Sequence, residues 1–329
     1  MILNEWYAVL SSNEVKKNKV ATVKRLGVDI AFFRDSQGKV WAIEDRCCHR
    51  GASLGAGKVI DDELQCPFHG FRYDGNGKVT TIPANGFDTP VDSRYKVRNY
   101  HVREVEDMIY LWWGRDYFEP DHEPKVFKDL TSSEFSYMEF SDFWAVHYTR
   151  AIENQLDVVH VPFVHKSTIG RGYKTLISGP LVVVTEDRIK FYVMAEVDDG
   201  VKKPLHPHEI KNHEKLNALE FQFPNTWHNI VTPDMRIFAA FAPVDEERTV
   251  IYIRYYQRFV KTPLLKWFVT LGGIWFSRIV LWQDKRVVLT QVPKYSEYRM
   301  NEKLIQGDLP IIEFRKMRAR KIEEDENVL

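Results

Sequence analysis

The chain has 329 residues, enough for two ordinary domains with full cores. Its 46 basic and 46 acidic residues cancel, so composition implies no nucleic-acid or other polyanionic partner. All three cysteines lie between residues 47 and 66, which excludes a disulfide framework and makes a reducing, cytoplasmic setting the expectation.

The first residues, Met1-Ile2-Leu3-Asn4-Glu5-Trp6-Tyr7, hold no basic segment followed by an apolar stretch, so no signal peptide is expected. Residues 1–115 read as short strands joined by turns. Val20–Val23, Asp29–Phe33 and Val40–Ile43 are β-rich runs separated by glycine and polar residues. Asp74-Gly75-Asn76-Gly77 is a strong turn signal, and Ile109–Gly114 closes this domain as an aromatic strand. The polar stretch Arg115–Lys125 reads as a linker. Beyond it, a helix is expected over Phe143–Val159, and strands over Leu181–Thr185, Ile189–Val197, Ala218–Phe223, Arg236–Ala242 and Val250–Phe259. A second helix is expected over Leu264–Leu289, and the charged tail Arg315–Leu329 as a solvated helix or frayed end. Strands bracketed by helices make residues 116–329 an α+β domain with an antiparallel sheet. Leu264–Trp282 is the most apolar segment, but Lys266 and Arg278 leave it too short to span a bilayer. It reads as a buried or subunit-facing helix, with peripheral membrane contact as the alternative.

Two Cys/His couplets carry the strongest chemical signal. Cys47-Cys48-His49 is followed, after sixteen residues, by Cys66-Pro67-Phe68-His69. Two thiolates and two imidazoles in this order are the ligand set of a Rieske [2Fe–2S] centre, cysteines on one iron and histidines on the other. Neutral imidazoles leave the cluster less negative than four thiolates would, raising its reduction potential to about −150 to +300 mV. Zinc is the competing occupant of a Cys₂His₂ set. Against it, C-x-H is tighter than the usual C-x₂₋₄-C knuckle, and each couplet mixes sulfur with nitrogen. Gly51, Gly55, Gly70 and Gly75 flank the couplets and permit close backbone approach. Cys48 is left over and reads as a small buried loop residue.

A second constellation is Asn154-x-x-Asp157-x-x-His160-x-x-x-x-His165. Asp157 and His160, three apart, share a helical face. Pro162 ends or kinks that helix and frees His165 to turn towards His160. Two histidines and one carboxylate would complete the facial triad of non-heme Fe(II) sites, with the opposite positions open. Asn154, one turn before Asp157, is placed to hydrogen-bond near such an iron. The histidine-rich loop His206–His213 is surrounded by lysines and glutamates and reads as solvated, near the mouth of the site. Phe223–Asn229 interrupts a strand and is a candidate for the substrate pocket.

With these motifs the chain resembles the Rieske non-heme iron oxygenases over essentially its whole length. It follows their pattern C-x-H-R-G … C-P-x-H-G-x-x-Y-D, with Phe71 where that family more often has Trp. The resemblance implies an N-terminal all-β Rieske domain and a catalytic domain of helix-grip type. It also implies that the third iron ligand is a carboxylate in a C-terminal helix, here Asp284 in Gln283-Asp284-Lys285-Arg286-Val287-Val288. Glu153 and the acidic tail beyond Glu302 are the competitors. By the same resemblance Asp157 is no ligand; it links His160 to a cluster histidine, His69, of a neighbouring subunit. That implies a closed ring, normally a homotrimer. The shorter branch of the family, vanillate and dicamba demethylases among them, is the nearer likeness.

The expected function is a terminal oxygenase that hydroxylates or oxidatively demethylates a small organic, often aromatic, molecule. No Gly-rich dinucleotide fingerprint is present, so an NAD(P)H-dependent reductase, with or without a ferredoxin, is the expected electron source. Ring cis-dihydroxylation is the rival within the class. A Rieske electron carrier with a binding domain, and a zinc-stabilised binding module, are the rivals outside it.

Overall fold

A computed structural model describes residues 1–114, 120, 122–130, 134–211, 213 and 216–327. Most of the linker read at 115–125 lies outside the described residues, as do Asn212, Glu214 and Lys215 of the histidine-rich loop. The chain folds as two units: residues 3–125 with 243–245, and residues 126–242 with 246–329.

The first unit is built from three small sheets. One pairs β1 (Glu5–Ser11), β11 (Met108–Trp113) and β10 (Val102–Val105); another runs in the order β2 (Val20–Arg25), β3 (Val28–Arg34), β4 (Val40–Glu44) and β9 (Asn99–Tyr100). The third is a meander of β5 (Lys58–Ile60), β6 (Glu63–Gln65), β7 (Arg72–Tyr73) and β8 (Val79–Thr81). Strand β3 is apolar on both faces. Its alternation sends Ile30 and Phe32 into a core with Tyr7, Val9, Ile109 and Leu111. Ala31 and Phe33 go into a second core with Ile43, Leu54, Leu64 and Tyr73, and this core also holds Cys47 and Cys66.

The second unit is a seven-stranded sheet in the order β12-β18-β17-β16-β15-β14-β13. Its strands are β12 (Ser136–Trp144), β13 (Leu176–Val184), β14 (Arg188–Glu196), β15 (Ala218–Gln222), β16 (Thr226–Thr232), β17 (Met235–Asp245) and β18 (Arg248–Gln257). Helices α1 (Tyr148–Leu156), α2 (Val161–Val164), α3 (Pro263–Val288) and α4 (Leu309–Asn327) complete it. Helix α3 packs on β12 and β18, α4 on β13 and β14, and α1 touches both long helices.

Three expectations need correction. The helix expected from Phe143 begins only at Tyr148. Phe143 and Trp144 instead end β12, paired with Val250 and Thr249, where Trp144 is fully buried. Such aromatic residues suit a half-buried pleated surface better than the first turn of a helix. The tail is helical but its first turn is not solvated: Arg315 and Met317 are buried, next to Phe314, which stacks on Phe223 at 5.6 Å. The apolar segment is not too short: α3 runs 26 residues, long and apolar enough to cross a bilayer by length and composition, and it is buried on one side, with exposed Leu264, Phe268, Trp275 and Trp282 on the other.

Candidate active site

The two couplets sit on loops closed by the same hydrogen-bond pattern. Cys47 N–H donates to the Ala52 carbonyl and Gly51 N–H to the Cys47 carbonyl, both at 2.8 Å. Cys66 N–H donates to the Phe71 carbonyl at 2.8 Å, and Gly70 N–H to the Cys66 carbonyl at 3.2 Å. Each closure needs a left-handed residue, which Gly51 (φ +71°) and Gly70 (φ +74°) supply. Both cysteines are buried, and both histidines are exposed with rings 4.6 Å apart. Phe71 lies flat against His49 at 4.8 Å. The Tyr73 hydroxyl donates to the Cys47 sulfur at 3.1 Å. This donor set fits a cluster whose thiolate-held iron is inside and whose imidazole-held iron faces outward. Cys48 is exposed, not buried, because the turn that carries Cys47 inward and His49 outward leaves it on the rim.

The second constellation converges across 119 residues of sequence. His160 follows the end of α1, the single turn of α2 carries the chain round to His165, and α3 delivers Asp284. His160 Nε2 and His165 Nε2 are 3.2 Å apart; Asp284 Oδ1 lies 3.4 Å from the first and 2.9 Å from the second. Ligands at roughly 2.1 Å from one ion and 90° apart lie about 3.0 Å from each other, so these separations fit a single metal held on one face. Asp284 Oδ1 is buried and without a hydrogen-bond donor. Burial alone would push the His160 imidazole towards neutrality. The Asp157 and Asp284 carboxylates outweigh it and raise the pKa to about 9, so the cleft attracts a positive charge.

Neighbouring groups orient these ligands. His165 Nδ1 lies 2.8 Å from Gln283 Oε1, an acceptor, so the ring proton sits on Nδ1 and the Nε2 lone pair faces Asp284 and His160. Gln283 is itself fixed, accepting from Thr168 Oγ1 at 2.7 Å and donating to Ser167 Oγ at 3.1 Å. Asp157 Oδ1 accepts the backbone N–H of Val159 (2.7 Å) and His160 (3.2 Å), while Oδ2 stands 3.5 Å from His160 Nδ1. Burial would raise the Asp157 carboxyl; His160 and these two amides hold it below its ordinary value.

The competing carboxylates are occupied elsewhere. Arg315 grips Glu153 with two hydrogen bonds, 2.6 and 3.0 Å, and Arg150 approaches Glu153 at 3.1 Å. Glu302 bridges the same two arginines, each at 2.7 Å. This quartet, three of whose members are buried and the fourth, Glu302, half-buried, ties α1 to α4 and leaves neither acid near the histidines.

A cavity of about 200 Å³ opens at the triad, lined by Asn154, Asp157, His160, His165 and Asp284 among others. A second, of about 290 Å³, runs beside it between the sheet and α3, walled by Ile237, Ile253, Tyr255, Phe276 and Leu281. Gln155, Ile169, Trp227, Asn229, Val280 and Asp284 line both, so the two are one continuous chamber. Among the described residues no lysine or arginine lines either part. Asn154 borders the chamber, its Nδ2 buried without a partner. From Phe223–Asn229, Trp227 and Asn229 reach the chamber, whereas Phe223 packs on Phe314 and Asn225 bonds the Phe241 carbonyl at 3.0 Å. His206 and His208 stack on each other at 5.7 Å in an exposed loop, away from the chamber lining. Sequence reasoning assigned no role to Gln283 or Thr168, although Gln283 stands beside the expected ligand.

Comparison with known proteins agrees with this geometry. Residues 5–101 match the Rieske [2Fe-2S] domain, and residues 144–324 match the vanillate O-demethylase oxygenase C-terminal domain. Cholesterol 7-desaturase nvd 1 of Ciona intestinalis is 30% identical over 164 residues, 49% of this chain and 34% of that protein. The oxygenase component of chloroacetanilide N-alkylformylase from Rhizorhabdus wittichii (strain DC-6 / KACC 16600) is 30% identical over 175 residues, 50% of this chain and 47% of that protein. The chain thus aligns with less than half the length of either relative. Among solved structures, Pseudomonas putida CBB5 NdmA superposes with a TM-score of 0.80 at 21% identity, covering 98% of this chain and 92% of its own. Dicamba monooxygenase bound to dicamba superposes at 0.78 and 19% identity, covering 100% and 98%. A cluster domain followed by a catalytic domain of this kind defines an oxygenase component, and the chain belongs to the Rieske oxygenases of the demethylase/monooxygenase branch.

Proposed function

We propose that the chain is the terminal oxygenase of a multicomponent system that hydroxylates or oxidatively demethylates a small, uncharged, largely apolar molecule. The observation that carries this reading is the continuity of the apolar chamber with the His160/His165/Asp284 face. Iron(II) held by those three residues would supply dioxygen-activating chemistry, and a cluster on Cys47, His49, Cys66 and His69 would supply single electrons.

The chain's own groups prepare that chemistry. Gln283 holds the His165 proton on Nδ1. Asp157 braces His160, and the apolar walls restrict water around the substrate. The lining also sets substrate charge. Among the described residues no lysine or arginine lines the chamber, so apart from the metal face nothing there is built to pair with an anionic substrate. Cholesterol and a chloroacetanilide, for which two relatives are named, are uncharged, whereas vanillate, for which the matching domain is named, is a carboxylate; the lining favours the former.

Electrons come from an NAD(P)H-dependent reductase, directly or through a ferredoxin, in the reducing cytoplasm. A hollow beside the first cluster loop is lined by Arg46, Arg50, Lys78, Lys96 and Arg98, a basic surface suited to an acidic donor. In a homotrimer, Asp157 would connect His160 to His69 of the partner subunit. Asp157→Asn is therefore expected to keep both metals while slowing turnover about 10–100-fold. Iron analysis and single-turnover kinetics check it, and unchanged turnover would remove the bridging role.

The whole reading is tested by supplying a surrogate reductase and screening uncharged apolar compounds for coupled O₂ uptake. Formaldehyde release marks demethylation, a hydroxylated product marks hydroxylation, and a cis-diol would overturn the monooxygenase assignment.

A further inference from the structure

Helix α3 has two apolar faces with different neighbours. At 100° per residue, Gly273, Ser277, Val280 and Asp284 fall on one side, where they line the chamber. Leu264, Phe268, Leu271, Trp275 and Trp282 fall within roughly 60° of arc on the opposite side. Each of these five is at least 40% exposed, along about 27 Å of helix. A contiguous apolar stripe of this kind marks a surface that something covers.

Length and composition would let α3 cross a bilayer, but Thr270, Ile274, Leu281 and Asp284 are buried, and the helix packs on β12 and β18. A helix so anchored lies along a surface and does not span one. Its charges say which surface. Between Pro263 and Gln283 the only ionisable residues are Lys266 and Arg278, both basic; Lys261 precedes them, and Arg286 lies over the Trp282 ring at 4.5 Å. Exposed tryptophans at intervals, an apolar stripe and basic flanks are the composition of a helix seated in the headgroup region of an anionic membrane.

We infer that the outward face of α3 docks this protein on an anionic lipid surface, and that the chamber behind the helix receives a lipid-soluble substrate from it. The second clause rests on the oxygenase reading; the docking itself does not. The stripe faces the bilayer, the opposite side of the same helix walls the chamber, and the route from lipid to iron ligands follows α3.

The test uses the cluster-loaded full chain and vesicles of phosphatidylcholine, alone or mixed with phosphatidylglycerol. Wild type is expected to sediment with the mixed vesicles, less so as salt rises, with a blue shift of tryptophan emission. Leu271→Glu combined with Trp275→Glu should weaken binding about tenfold or more, at unchanged circular dichroism and cluster absorbance. Lys261→Glu with Arg286→Glu, both exposed and outside the packed face, should abolish the preference for anionic vesicles, and reads the proposal even if the first pair misfolds. Wild type binding neither vesicle would overturn the inference, as would a stripe variant whose only effect is a smaller oligomer in solution, since a second copy would then be the cover. Because sedimentation needs no turnover, loss of docking and failure of the oxygenase reading are separately visible.

Discussion

Asp284→Ala is expected to empty the mononuclear site and abolish product formation while the visible spectrum of the cluster stays intact. The carboxylate is 3% exposed and its Oδ1 touches both histidine nitrogens, so alanine leaves two imidazoles facing an apolar chamber. Two neutral donors cannot hold a ferrous ion against the gain of a third, anionic one. The comparison variant is Gln283→Leu. It retains all three ligands but frees the His165 tautomer, and loss of such an outer partner costs about 10–100-fold in metal affinity or activity. The ordering is the prediction: Asp284→Ala worse than Gln283→Leu in iron content, with both keeping two cluster irons. Full iron and activity in Asp284→Ala would place the third ligand elsewhere.

Glu153→Ala should fail in a different way, through stability. Arg150 and Arg315 have side chains only 3% and 4% exposed, and Glu153 is the carboxylate they share with Glu302. Burial alone would raise the Glu302 carboxyl, and the two guanidiniums hold it below its ordinary value. Removing Glu153 strands the guanidiniums with one carboxylate for two buried cations, a loss of about 3–5 kcal/mol. In a domain of this size that lowers the melting temperature by roughly 6–20 °C. Thermal denaturation followed by far-ultraviolet dichroism measures it, and iron per folded chain should not change. Loss of iron at an unchanged melting temperature would make Glu153 a ligand.

The parts of the site legible in the sequence are those whose chemistry is local. Cys47/His49 and Cys66/His69 are short couplets, and the order of ligand atoms within each carries the meaning. His160 and His165 were paired correctly but by a rule that did not apply: α1 stops at Leu156, so Asp157 and His160 share no helical face, and Pro162 sits in the first turn of α2 instead of ending a helix. Asp284 is different: nothing in spacing relates it to His160, and only resemblance to a family placed it. The cavity walls were also illegible, because alternation along β16–β18 tells which side chains face α3 but not where the helix stands away from the sheet. Trp227 lies in the one segment read as a pocket candidate, whereas Ile237, Ile253 and Tyr255 read as ordinary strand residues and line the chamber in the fold. Cys48 and the start of α1 were misjudged for a common reason: local composition does not know which way a turn will point its neighbours.

Residues 30–33 of strand β3 are buried on both faces, and that has a consequence for how the first unit fails. Ile30 and Phe32 belong to one apolar cluster, Ala31 and Phe33 to the other that holds the cluster cysteines. Neither can loosen without displacing the shared backbone of residues 28–34. The two halves of this unit should therefore melt as a single cooperative block, and retention of the iron–sulfur chromophore during heating becomes a reporter for the distant β1–β11–β10 sheet.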